Sequence, residues 1–180
     1  MNTIEESATR GRTAQDAREI AAIFAHYATN TVVTFETTPL PAHVWGRRIW
    51  SAAAAGLPFL VLVHDGAVRG FAYAAWWRPK PAYRHTVEVS IYLHPDETGR
   101  GYGRRLLDDL LTRCADAGVH QVIAVITDSG DLASTALHRA AGFEVAGKLS
   151  NVGHKQGRWV DTILMQRSLV TLRERTAGLG

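Results

Sequence analysis

Residues 99–104, Gly99-Arg100-Gly101-Tyr102-Gly103-Arg104, set three alternate glycines and two arginines between a strand pattern and a helix pattern. Glycines let a chain turn tightly and aim successive N–H groups at an anion, and a helix N-terminus adds about half a positive charge. A diphosphate fits such a cradle, with Arg100, Arg104 and Arg105 as supplements; a flexible turn with solvated arginines fits the same residues. Two known phosphate loops are excluded. A P-loop ends in Gly-Lys-Ser/Thr, which is missing, and a dinucleotide fingerprint spaces its glycines Gly-x-Gly-x-x-Gly.

A second candidate lies just upstream. From Thr86 to Leu93 the pattern alternates strictly, with Val87, Val89, Ile91 and Leu93 on one face and Thr86, Glu88, Ser90 and Tyr92 on the other. This sets one carboxylate among polar neighbours, where a strand glutamate is ordinarily solvated or paired. Cys114 falls within a helical pattern and reads as a small buried hydrophobe. None of the eight histidines falls into a compact His/Cys spacing, so no metal site is expected.

The elements that must hold these residues alternate between helix and strand at short spacing, which predicts an α/β layer architecture. Ile20, Ile23, Phe24 and Tyr27 form a helical stripe behind a candidate cap, Thr13, and a second helix follows Pro41. Phe59–Val63 and Val68–Trp76 read as strands, with His64-Asp65-Gly66-Ala67 as the turn of an antiparallel hairpin. Tyr102, Leu106, Leu107, Leu110, Leu111 and Cys114 trace an amphipathic helix ending at Gly118. Val122–Ile126 is short and wholly apolar, as a buried strand is. A helix from about Leu132 to Ala141 precedes a final strand pair, Phe143–Ser150 and Arg158–Arg167. Residues 1–14 carry no clear pattern.

The chain has 180 residues, 46% of them hydrophobic, enough for one compact domain over residues 1–180 with a core at about 15–169. Its 20 basic and 17 acidic residues are spread along the chain, which argues against nucleic acid as a partner. A single cysteine forms no internal disulfide, and no apolar run approaches about 18 residues. A cytoplasmic protein without membrane contact is expected.

The segment Val87-Glu88-Val89-Ser90-Ile91-Tyr92-Leu93, the loop Gly99–Gly103, and Ala133-Ser134 through Leu137-His138 to Ala141-Gly142-Phe143 closely resemble, in order and spacing, the consecutive acetyl-CoA motifs of the GNAT superfamily. Thr34-Phe35-Glu36-Thr37, Trp77-Arg78-Pro79 with Ala82-Tyr83, and Val152-Gly153-His154-Lys155 with Gly157-Arg158-Trp159 are similar to its phosphinothricin and methionine sulfoximine N-acetyltransferase branch. The resemblance covers almost the whole chain after about residue 14.

It implies a twisted mixed sheet of six to seven strands, flanked by about four helices and splayed between two central parallel strands to admit the pantetheine arm of acetyl-CoA. The backbone of Ile91, Tyr92 and Leu93 would then run beside pantetheine, and Gly99, Arg100, Gly101, Tyr102, Gly103 and Arg104 would hold the diphosphate. Asp131 and Ser134 fall in the following cofactor motif. Acetyl transfer needs a neutral amine, and Glu88 occupies the position of the family's general base, with His138 a candidate for proton handling. Phe35, Arg78, Pro79, Lys80 and Tyr83 map to the acceptor side, together with Val89 and Ser90 beside Glu88. The implied acceptor is a small amino-acid-like compound such as phosphinothricin, methionine sulfoximine or methionine sulfone, and the implied assembly a homodimer.

The chain departs from the family pattern at three places. Thr98 stands where the superfamily usually has Arg or Gln, Asp131 where Asn is general, and His85 where the branch commonly has Trp. Two further readings therefore stand beside the first: an acetyltransferase for polyamines or peptide N-termini, and a non-catalytic acyl-CoA sensor.

Overall fold

A computed structural model describes residues 8–11, 13–130 and 132–169. Seven strands form one sheet in the order β1-β2-β3-β4-β5-β7-β6: β1 (Ala8–Gly11), β2 (Phe59–His64), β3 (Ala67–Trp76), β4 (Thr86–Leu93), β5 (Gln121–Thr127), β6 (Glu144–Lys155) and β7 (Arg158–Ser168). Every pairing is antiparallel except β4 with β5. The helices are α1 (Ala17–Asn30), α2 (Ala42–Ala54), α3 (Tyr102–Asp116) and α4 (Ala133–Ala140). No helix among the described residues is long and apolar enough to cross a membrane.

Two apolar layers hold the sheet between helices. On one face Ile20, Phe24, Trp45 and Ile49 of α1 and α2 pack on Phe59, Val61 and Phe71. On the other, Leu106, Leu107, Leu110 and Cys114 of α3 pack on Leu62, Ala72, Val87, Val89 and Val122. Each fully buried Leu or Phe contributes about 1.5–3 kcal/mol relative to exposure, so both layers are needed to offset chain entropy. The strict alternation of β4 is realised in this way: Val87 and Val89 enter the α3 layer, while Tyr92 turns into the α1/α2 layer.

The hairpin between β2 and β3 turns at Asp65 and Gly66, with φ of 53° and 71°. Two successive positive φ angles are what a two-residue hairpin matched to strand twist requires. Three elements differ from the sequence expectation. The unpatterned N-terminal stretch contains β1, which is held by pairing with β2 and not by any periodicity of its own. Thr13 does not cap α1, which starts at Ala17 behind a 3₁₀ turn, Ala14–Asp16; there the Asp16 carboxylate accepts from the Thr13 N–H at 2.5 Å and from Arg10 Nη1 and Nη2 at 2.8 Å each. Strand β6 runs on past Ser150 to Lys155, because a register shift between Leu149 and Gly153 absorbs the turn-like Asn151. Asn151 has φ 54° and its N–H donates to Asp161 Oδ1 at 2.8 Å.

Candidate active site

Strand β4 keeps its antiparallel partner β3 from the Val87–Trp76 pair to the Leu93–Gly70 pair. Its parallel partner β5 leaves it early: the ladder stops at Val89 opposite Ala124, although β4 continues to Leu93 and β5 to Thr127. Beyond that point the strands diverge, and backbone polar groups along the gap lose the partners a continuous sheet would supply. A cavity of about 80 Å³ occupies the gap, lined by Val89–Tyr92, Ala124–Thr127, Ser129, Ser134, His138 and Val33. Val89, Ser90, Ile91, Tyr92, Ser134 and His138, singled out from sequence, are thus brought together from β4 and α4.

On the α1/α2 face of β4 a second cavity, of about 610 Å³, is lined by Glu88 and Ser90, by Tyr73, Ala74, Ala75 and Trp76 of β3, and by Val44, Arg47, Arg48 and Ser51 of α2. Ser90 lines both cavities. No hydrogen bond to the Glu88 carboxylate is formed among the described residues. Burial pushes its pKa above the ordinary carboxylate range, and the positive charge of Arg78 offsets part of that rise. A carboxylate so placed is a better proton acceptor at neutral pH than a solvated one.

The glycine turn is open. Gly99 and Gly101 have φ of 76° and 80°, and a Cβ added at either would meet nothing within 4 Å. Helix α3 starts at Tyr102, so its first N–H groups, without helical acceptors, face the turn. Arg100 lies 3.1 Å from Glu97, a buried carboxylate that is also 3.7 Å from Arg69. Arg104 donates to Asp108 at 2.6 Å and to the Ala140 carbonyl at 2.8 Å, tying the start of α3 to the end of α4. Leu93 does not line the gap cavity; its carbonyl accepts the Tyr27 hydroxyl at 2.6 Å.

His138 is buried, and its Nδ1 lies 2.8 Å from the Ser134 carbonyl. A carbonyl only accepts, so Nδ1 carries the proton, and burial lowers the ring pKa and keeps it neutral. That leaves Nε2 as an acceptor. Burial raises the phenol pKa of Tyr92. Cys114 is fully buried and its thiol is pushed up to about 12, which removes it as a nucleophile at neutral pH.

The acceptor-side residues expected from sequence fall in different places. Phe35 packs its ring against Gly153, and Arg78 stacks over Trp77 with its guanidinium carbon 4.2 Å from the ring centre. Pro79, Lys80 and Tyr83 lie on the exposed connection between β3 and β4. None of these five lines either cavity. Asp131 lies outside the described residues. Sequence reasoning missed Arg47, Arg48, Ser51, Tyr73 and Trp76. The signal was present in α2, where Val44, Arg47, Arg48 and Ser51 recur at helical spacing as a second face beside the core stripe Trp45, Ile49 and Ala52. Among the described residues no cluster of His, Cys, Asp or Glu could hold a metal ion.

A sheet opened between two parallel strands, with a bare glycine turn at one end of the gap and a desolvated carboxylate beside it, is the architecture of an acyltransferase. Residues 20–143 match the Acetyltransferase (GNAT) family, and the chain belongs to that family. It is 46% identical over 154 residues to the phosphinothricin N-acetyltransferase of Alcaligenes faecalis, covering 86% of this chain and 78% of that one. It is 40% identical over 157 residues to an L-methionine sulfoximine/L-methionine sulfone acetyltransferase of Pseudomonas paraeruginosa, covering 86% and 90%. A crystal structure of a GNAT superfamily phosphinothricin acetyltransferase from Sinorhizobium meliloti in complex with AcCoA matches with a TM-score of 0.87 at 42% identity, covering 91% of this chain and 88% of that one. The superfamily and the splayed mixed sheet expected from sequence are borne out.

Proposed function

We propose that the chain transfers acetyl from acetyl-CoA to the α-amine of a small amino-acid-like compound, with Glu88 as the general base. The observation that carries this reading is the Glu88 carboxylate: partly buried, without a hydrogen-bond partner among the described residues, and opening on a cavity of about 610 Å³ that meets the inter-strand gap at Ser90. The gap fits an extended pantetheine, whose amides would occupy the backbone groups β5 leaves unpaired, and the open turn at Gly99–Gly103 fits a diphosphate. Ile91, Tyr92 and Leu93 would flank the first, and Arg100 and Arg104 would reinforce the second. Bound there, acetyl-CoA supplies an activated acetyl thioester.

The acceptor amine must lose a proton before it can attack, and Glu88 takes it up directly or through one water. Arg47 and Arg48 on the cavity wall, with Arg78 close enough to bias Glu88, favour an acceptor that also carries an anionic group. This supports phosphinothricin, methionine sulfoximine and methionine sulfone over polyamines. The exposed apolar side chains Val145, Leu149, Val152 and Trp159 of β6 and β7 support a homodimer.

Two measurements test the reading. Calorimetry with acetyl-CoA should register binding in the micromolar range, and an acceptor screen read by thiol release should show turnover of the three amino-acid analogues and none of spermidine. Binding without turnover of any amine would leave an acyl-CoA sensor.

A further inference from the structure

The loop joining α1 to α2 lines the gap and is tied to the wall of the larger cavity. Val33 lines the gap beside Tyr92, and Glu36 pairs at 3.1 Å with Arg48 on the wall of the larger cavity. Yet no backbone–backbone hydrogen bond fastens residues 32–40 to the rest of the described chain. The loop's shape is therefore set by side chains. One of them is out of keeping with its environment: Lys155, at the end of β6, is only 5% exposed. Its Nζ donates to the Thr34 carbonyl at 2.8 Å and to the Tyr27 carbonyl, in the last turn of α1, at 3.3 Å. No salt bridge within 4 Å involves it among the described residues, and the carboxylate that bears on it electrostatically is Glu36, on the same loop.

A buried ammonium is costly unless it is hydrogen-bonded, and the C-terminal carbonyls of a helix are its natural partners. Two residues along β6, Gly153 leaves room for the loop from the same side: a Cβ there would lie 2.2 Å from the Phe35 ring. Lys155 thus grips the loop backbone at Thr34 while Gly153 seats the neighbouring Phe35. The Tyr27 residue whose carbonyl accepts from Lys155 also donates its hydroxyl to the Leu93 carbonyl at 2.6 Å, so the same post braces the end of β4.

We propose that Lys155 is a positioning residue for acceptor binding: its ammonium, with the bare backbone of Gly153, fixes the α1–α2 loop, and through it the Glu36 carboxylate that holds Arg48 on the wall of the acceptor cavity. This rests on the acetyltransferase reading above. Lys155 touches neither cavity; it acts through Thr34, Phe35 and Glu36.

The test uses Lys155→Met, which keeps the stem and removes the donors, and Gly153→Ala, which leaves Lys155 intact and displaces Phe35. Both should raise the acceptor KM by about tenfold or more, the scale of one lost charge-assisted hydrogen bond. The acetyl-CoA Kd by calorimetry and kcat at saturating acceptor should stay within about twofold of wild type, because binding and not chemistry is perturbed. Hydrogen exchange, which needs no turnover, should show faster exchange at residues 32–40 in Lys155→Met and unchanged protection in β4. An unchanged acceptor KM in folded Gly153→Ala, or equal exchange of the loop with and without the lysine, would overturn the proposal. Failure of wild type to turn over any amine would instead overturn the functional reading and leave the exchange result to judge the clamp.

Discussion

Replacing Glu88 by Gln changes one carboxylate oxygen to an amide nitrogen and nothing else in the shape of the cavity wall that β4 supplies. The carboxylate makes no hydrogen bond among the described residues, so the substitution breaks no packing and strands no partner. What it removes is a proton acceptor whose pKa burial has raised, with Arg78 partly restraining the rise. Loss of a positioned general base costs ~10²–10⁴-fold in rate, or about 2.7–5.5 kcal/mol at the transition state. We therefore expect kcat/KM for the acceptor to fall by at least ~10²-fold while acetyl-CoA affinity is retained. Wild type should lose activity as pH falls through the raised pKa of Glu88, and Glu88→Gln should lack that acid limb. Stability has the opposite sign. A carboxyl whose folded pKa is raised favours the protonated form, so its stabilising contribution is present below the unfolded pKa and gone once pH rises through the folded one. At neutral pH the ionised group therefore destabilises the fold, and Glu88→Gln should melt at a slightly higher temperature. Steady-state kinetics across pH and a thermal melt of the same preparation decide the matter. Turnover within threefold of wild type would remove Glu88 from the chemistry, and activity lost together with several degrees of melting temperature would make its role structural.

Asp16→Asn should destabilise the protein by about 1–3 kcal/mol in denaturant titration, because the buried carboxylate receives the Arg10 guanidinium and the Thr13 N–H. Burial alone would raise the Asp16 pKa, but these donors outweigh it and hold it below the ordinary range, so this stability is lost as pH falls through that depressed value and the mutant's acid limb should be flatter. Gly101→Ala forces a side chain to φ 80° and should cost about 1 kcal/mol of stability while weakening acetyl-CoA binding severalfold by calorimetry, since the turn must be reshaped. Cys114→Ala should leave kcat unchanged and lower stability by about 1 kcal/mol from a small cavity in the α3 layer; a large loss of kcat in a folded mutant would revive a covalent route.

The elements were legible where local pattern and tertiary role agree. Strict alternation in Thr86–Leu93 survives because both faces of β4 are used, one by α3 and the other by the cavity and α1. The hairpin at Asp65-Gly66 was legible because that turn demands particular backbone angles that few residues adopt. Strand β1 was not, since Ala8–Gly11 is a strand only by virtue of the β2 edge it pairs with. The end of β6 was hidden by Asn151, whose turn chemistry is spent on a register shift inside the strand.

By itself the sequence determined the order of elements, the carboxylate on the polar face of β4 and the glycine turn ahead of α3, because these depend on residues within a few positions of one another. It also determined the family, through motifs spread along the chain in fixed order. Only the tertiary structure decided that β4 and β5 part company after Val89 and Ala124, and that α2 and not the β3–β4 connection lines the larger cavity. The contacts of Lys155 were likewise invisible, since its partners at Tyr27 and Thr34 are backbone carbonyls more than a hundred residues away. A main-chain acceptor leaves no mark on residue type, so a contact made to it appears only once the chain has folded.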